Sequence, residues 1–208
     1  MMSFRTAVAP AVFATLLLTA SCSSDEPGTP TAGAQPPASQ PAEPTADNPG
    51  GELPPDAPKV TDPVQNVDRF INKPCDTLTR DQAAQLGLND NIEEDLQNDQ
   101  GPQCAYFNEK RDRLYVTFSK YQPLGIAGLY LNKQQTPEFY AYFEPVDISG
   151  HPGVFADATD LRPSGVCGLS VGLTDKQTVT MVLDIQGEKD PCSILKKAAE
   201  FAVKTMKQ

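Results

Sequence analysis

The sequence predicts an α+β domain: an antiparallel β-sheet with N- and C-terminal helices packed on one face and two disulfides. Three observations carry that expectation. VCGLSVGLT and QTVTMVLDIQ alternate apolar and polar residues on either side of a short polar turn, the period-two signature of a hairpin. A capped, amphipathic stretch closes the chain after Asp190. Cys75, Cys104, Cys167 and Cys192 remain once the N-terminal Cys22 is set aside, and an even number in an exported domain reads as two bridges.

The elements follow in chain order. Arg5 and the α-amino group precede an apolar run from Thr6 to Ala20 that Pro10 interrupts. About fifteen residues make a helix of roughly 22 Å, short of the ~30 Å hydrocarbon core of a bilayer. Residues 1–21 therefore read as an export signal. Thr19, Ala20 and Ser21, directly before Cys22, resemble the lipobox of bacterial lipoproteins, although Thr19 occupies the place where leucine is common. That resemblance implies lipidation of Cys22 and anchoring on the extracytoplasmic face of the cell membrane. Two acyl chains hold a protein at a bilayer where one myristoyl chain is only marginal. Residues 22–63 then form the expected linker, because eleven of the twenty prolines fall between Ser23 and Pro63 and no hydrophobic period runs through them. Such a segment buries too little apolar surface to offset its ordering entropy.

Residues 64–208 are one domain's worth of chain. Thr79 is placed to cap a helix, Gln82 completes a capping box, and Gly87 suits the exit. CAYFN and RLYVTFSK follow as strands, the second setting Leu114, Val116 and Phe118 on one face. GIAGLYLNKQQ is a weaker helix with two internal glycines, and AYFEPVDI and GVFADAT form a strand pair around SGHPG. In the hairpin, Leu169, Val171 and Leu173 face inward with Val179, Met181, Leu183 and Ile185. Asp190 caps and Pro191 opens the last helix, whose stripe is Ile194, Leu195, Ala198, Ala202 and Met206. With the turn centred near Lys176, Cys167 comes level with Ile185, shortly before Cys192. Cys167–Cys192 and, by remainder, Cys75–Cys104 are the expected bonds. Zinc is disfavoured as the alternative, since there is no C-x-x-C and the chain has one histidine.

PCDTLTRDQAAQLGL, QCAYF, RLYVTFS, ISGHPGVFADA, VCGLSVGL and DPCSILKKAAEFA together resemble the actinobacterial lipoproteins of domain of unknown function 3558, over about residues 70 to 207. The resemblance implies paired cysteines and an envelope location. It implies no catalytic residue.

Composition narrows the partners. The formal net charge is −10, and the basic runs KRDR and KK are short, so neither nucleic acid nor an anionic bilayer surface is an expected partner. Gly168-Leu-Ser170-Val-Gly172 matches the G-x-S-x-G nucleophile elbow. It sits inside an alternating strand, however, and the only histidine, His151, precedes it rather than following last in the chain. Ser170 is thus expected as an outward strand residue and His151 as an exposed turn residue. LNDNIEEDLQNDQG lacks the glycine and ligand spacing of an EF-hand and is expected as a solvated acidic loop. No cofactor, metal site or catalytic residue is expected. The expected function is that of a non-enzymatic, tethered accessory domain that binds an envelope protein or ligand. A carrier for an apolar small molecule, with a cavity between sheet and helices, is second; a hydrolase is third.

Overall fold

The computed structural model describes residues 53–208. The expected signal segment, Cys22 and the linker up to residue 52 lie outside the described residues. Helix α1, Val67–Asn72, is followed by a short 3-10 turn at Pro74–Thr77 and by α2, Arg80–Gln85. Then come β1 (Asn91–Asp95), β2 (Gln103–Phe107) and β3 (Arg113–Phe118), helix α3 (Ala127–Gln135), and the pair β4 (Tyr142–Ile148) and β5 (His151–Asp157). The hairpin β6 (Val166–Thr174) and β7 (Gln177–Asp184) leads to α4, Pro191–Met206. The seven strands form one antiparallel sheet in the order β1-β2-β3-β7-β6-β5-β4.

The inner face is the core. Leu114, Val116, Phe118, Leu169, Val171, Leu173, Val179, Met181 and Leu183 are each at most 1% exposed. They meet Leu195, Ala198 and Ala202 of α4 and, from the N-terminal elements, Phe70, Leu78 and Ala83. Alternation therefore assigns the face, and α4 covers it with the stripe its spacing predicts. The helix begins where expected: the Asp190 carboxylate accepts from the Ser193 amide and Pro191 fills the first turn, where no N–H is needed. At α2 the capping box is complete. Thr79 Oγ1 accepts from the Gln82 amide, and Gln82 Oε1 accepts from the Thr79 amide at 2.7 Å. The same Gln82 also donates to Phe201 O and accepts from Thr205 Oγ1, fastening α2 to α4.

Both disulfides are those expected. Cys75–Cys104 ties the turn after α1 to β2, and Cys167–Cys192 ties β6 to the first turn of α4. The register behind that pairing differs from the expected one. Cys167 pairs with Leu183, not Ile185, because the turn is the two residues Asp175 and Lys176 and the ladder shifts between Gly172 and Thr174. Two residues of slip preserve strand parity, so the inward set survives with Ile185 half-buried at its margin.

Three further expectations change. The acidic stretch is partly strand: β1 pairs with β2 from Asn91↔Phe107 to Asp95↔Gln103. It is an edge strand whose charges keep other strands from adding, and Pro145 plays that part on the opposite edge, β4. The segment assigned to the linker also packs before residue 64. Val60 is buried and its amide donates to Asp175 Oδ1, Asp62 pairs with Lys207, and the Val64 amide donates to Leu173 O. Finally, His151 is not in the turn. Ser149 and Gly150, both at positive φ, make the whole two-residue loop, which puts His151 opposite Ile148 as the first residue of β5, 1% exposed.

Helix α3 lies on the outer face. Ile126, just before it, and Val60 fill the space a side chain at Gly172 would take. Tyr130 and Tyr140 stack edge-on against Phe143 of β4 with ring centres 5.1 and 5.2 Å apart.

Candidate functional site: a groove across the outer sheet face

Helix α3 and the segment after it cover only part of the outer face. Beside them a groove of about 600 Å³ crosses five strands, β2, β3, β7, β6 and β5. Its floor is set by register. Gln103 faces Thr117, Thr117 faces Thr180, and Thr180 faces Ser170, giving a polar row across four strands. Gln103 Nε2 donates to Thr117 Oγ1 at 2.9 Å, and the Ser170 and Thr180 hydroxyls share a bond of 3.0 Å. Alongside runs an apolar row, Tyr115 facing Val182 and Val182 facing Gly168. Gly168 keeps the floor open, since a Cβ there would stand 3.1 Å from Ala156 O. Leu129, Phe139 and Tyr140 form a wall.

The electrostatics are plain. Among the residues that line the groove, Asp157 is the only one with a charged side chain. Burial holds the Tyr140 phenol above its ordinary pKa, so it is a neutral O–H at any physiological pH. A shallower hollow of about 300 Å³ adjoins and shares Gln122, Leu129 and Tyr140 with it. Two of the large apolar side chains left in water stand here, Phe139 at 54% and Tyr121 at 69% exposure.

Ser170 is in this groove, and His151 is not. Val154 pairs with Ser170, so His151, three residues earlier in β5, has the opposite parity and shares the face of Phe155 and Leu169. The Gly172 carbonyl can only accept, so His151 Nδ1 donates to it, at 2.8 Å. Its buried Nε2 has no hydrogen-bond partner among the described residues. The elbow geometry is likewise absent at Ser170, which continues in β6 through Thr174 rather than turning into a helix. Serine and histidine face opposite sides of one sheet.

Between the sheet and α4, where an apolar-ligand carrier would need its cavity, Leu169, Leu183, Leu195 and Ala198 fill the space at 1% exposure or less. A larger cleft, about 700 Å³, lies elsewhere, walled by Leu53, Pro54, Pro58, Leu124, Ile126 and Lys176 among others. One wall of it is the incoming segment 53–59, whereas the outer groove has the sheet as its floor. Among the described residues no group of three His, Cys, Asp or Glu is placed to hold a metal, and no helix is long and apolar enough to cross a membrane.

Sequence reasoning placed Ser170 as an outward strand residue but missed the groove. The signal was present only as alternate residues of four strands, and they become neighbours through pairing.

The family described as "Protein of unknown function (DUF3558)" matches the chain over residues 17–205. The chain belongs to that family. No curated protein and no solved structure matches it.

Proposed function

We propose that this is a cell-envelope lipoprotein, anchored through Cys22, whose domain is a non-enzymatic binding module that presents the outer sheet face. The observation that carries the reading is the groove, a walled concavity lined by hydroxyls, amides and aromatic rings. The two disulfides favour an oxidising compartment. The family match begins at residue 17, so it takes in the small residues before Cys22 and Cys22 itself. Cys22→Ala is expected to move the protein from the membrane to the soluble fraction with its thermal melt unchanged; retention after high-salt and carbonate washing overturns the anchor.

The binding face is tested by gene replacement. Val182, half-buried on the groove floor, is changed to Asp, and Lys204, exposed on α4, to Glu. Loss of the deletion-sensitive phenotype with Val182→Asp alone, at normal protein level, supports the outer face. Equal behaviour of the two variants overturns it.

The second reading, a carrier for an apolar small molecule, has the 700 Å³ cleft in its favour. An apolar dye that binds the full chain and is displaced by Leu124→Glu would move that reading to first place.

A further inference from the structure

The geometry of the outer groove points to a neutral glycan chain as its ligand, an inference that rests on the binding-module reading and names what the module holds. A sugar ring is amphipathic: its edge carries hydroxyls that donate and accept, and its face presents C–H groups. The groove floor has the same two parts side by side. The row Gln103, Thr117, Thr180 and Ser170 is uncharged. Each hydroxyl in it can donate once and accept twice, while the structure uses one bond per pair, so capacity for ligand hydroxyls remains. The parallel row supplies Tyr115 and Val182 for a ring face, and Tyr140 stands in the wall.

Charge and topology narrow the occupant. A phosphorylated or acidic ligand calls for Arg or Lys, and none lines the groove. A peptide that binds as an added β-strand is read by backbone pairing at a sheet edge. Here the groove crosses the strands, and the edges are the acidic β1 and the proline-bearing β4. The adjoining hollow, with Tyr121 exposed beside Gln122, lengthens the site beyond a single sugar, which suits a chain over a monosaccharide.

The test is calorimetric titration of the full chain, in detergent, with linear hexasaccharides of glucose, mannose, galactose and arabinose, all uncharged. At least one is expected to give saturable heat. Tyr140→Ala, by removing a ring contact, is expected to weaken that binding about tenfold. Thr180→Val, which deletes one hydroxyl, is expected to weaken it about fivefold. Lys204→Gln on α4 serves as the unaffected control, and thermal melts exclude unfolding. The inference is overturned if no hexasaccharide binds saturably, or if one does with equal affinity to wild type, Tyr140→Ala and Thr180→Val. In that event a Val182→Asp gene replacement that still loses the phenotype keeps the binding module and discards the glycan, and a silent one discards both.

Discussion

The two faces of the sheet use the same strands to opposite ends. On the inner face Leu114, Val116 and Phe118 of β3, Leu169, Val171 and Leu173 of β6, and Val179, Met181 and Leu183 of β7 are buried under α4 and the N-terminal elements, with Cys167–Cys192 stapling β6 to α4. On the outer face the intervening residues include the small or hydroxylated Thr117, Thr180, Ser170, Gly168 and Gly172 beside Tyr115 and Val182, with α3 over one part and a groove over the rest. Stability is concentrated on one side and surface chemistry on the other, so neighbouring residues in one strand should answer mutation very differently.

The sharpest way to break that comparison uses consecutive residues of β7. Leu183→Ala, fully buried, is expected to cost about 4 kcal/mol, within the range for buried leucine with a residual cavity. Val182→Ala, half-buried on the outer face, is expected to cost about 1 kcal/mol or less. Urea titration of both variants measures the contrast, and equal losses would dissolve it.

Removing the staple comes next. Cys167→Ala with Cys192→Ala reopens a loop of 25 residues in sequence separation. The chain-entropy model gives a loss of about 3.5 kcal/mol. Hydrogen exchange should show α4 losing protection together with the inner face. If α4 alone opens while β6 and β7 stay protected, the helix is a separable cover and the inner layer is not one unit.

His151 sharpens the comparison further, because it is a polar group on the apolar side. His151→Ala leaves a void and strips the Gly172 carbonyl of its donor, at an expected cost of about 2 kcal/mol. Ser170→Ala on the outer face should scarcely move the melt. In the gene-replacement assay it should reduce activity by less than about tenfold, the scale of one uncharged hydrogen bond. A nucleophile's loss would be a hundredfold or more.

The smallest effect is acid sensitivity at the surface. The hydrogen bond and charge of Lys207 lower the Asp62 pKa, and hydrogen bonding to Arg162 lowers that of Asp160. A carboxyl whose folded pKa is depressed contributes its stability above the unfolded pKa and loses it as pH falls through the folded one. Asp160→Asn and Asp62→Asn should therefore lower stability slightly near neutrality, where the contribution is fully present, and flatten its loss below about pH 4. Both carboxylates are exposed, so salt should reduce the effect.

Much of the inner face was legible because its rules are local or periodic. Thr79 with Gln82, Asp190 with Pro191, and the alternation through β6 and β7 each declare themselves within a few residues. Cys167–Cys192 followed from the hairpin bringing the chain back level with Cys167 shortly before Cys192, which a two-residue slip does not undo, and Cys75–Cys104 was the remainder. What escaped depended on choices of closure. Whether SGHPG turns over two residues or five decides if His151 is buried, and positive φ at Ser149 and Gly150 decided for two. Asn91–Asp95 has the composition of a loop, and as an edge strand it needs little apolar content. The short helix α1 buries only Phe70, too little to make a period. The groove was least legible of all, because no stretch of sequence contains it.

The fastening of residues 60–64 has a mechanical consequence. Val60, Asp62 and Val64 are held, respectively, by Asp175 in the β6–β7 turn, by Lys207 just past α4, and by Leu173 in β6. Tension arriving from the N-terminal side meets these three contacts before it reaches any element upstream of β6. It is then divided between a central strand and the long helix, which Cys167–Cys192 joins covalently. A pull on the chain is thus delivered to the layer best able to resist it, and the edge strands β1 and β4 carry none of the first load.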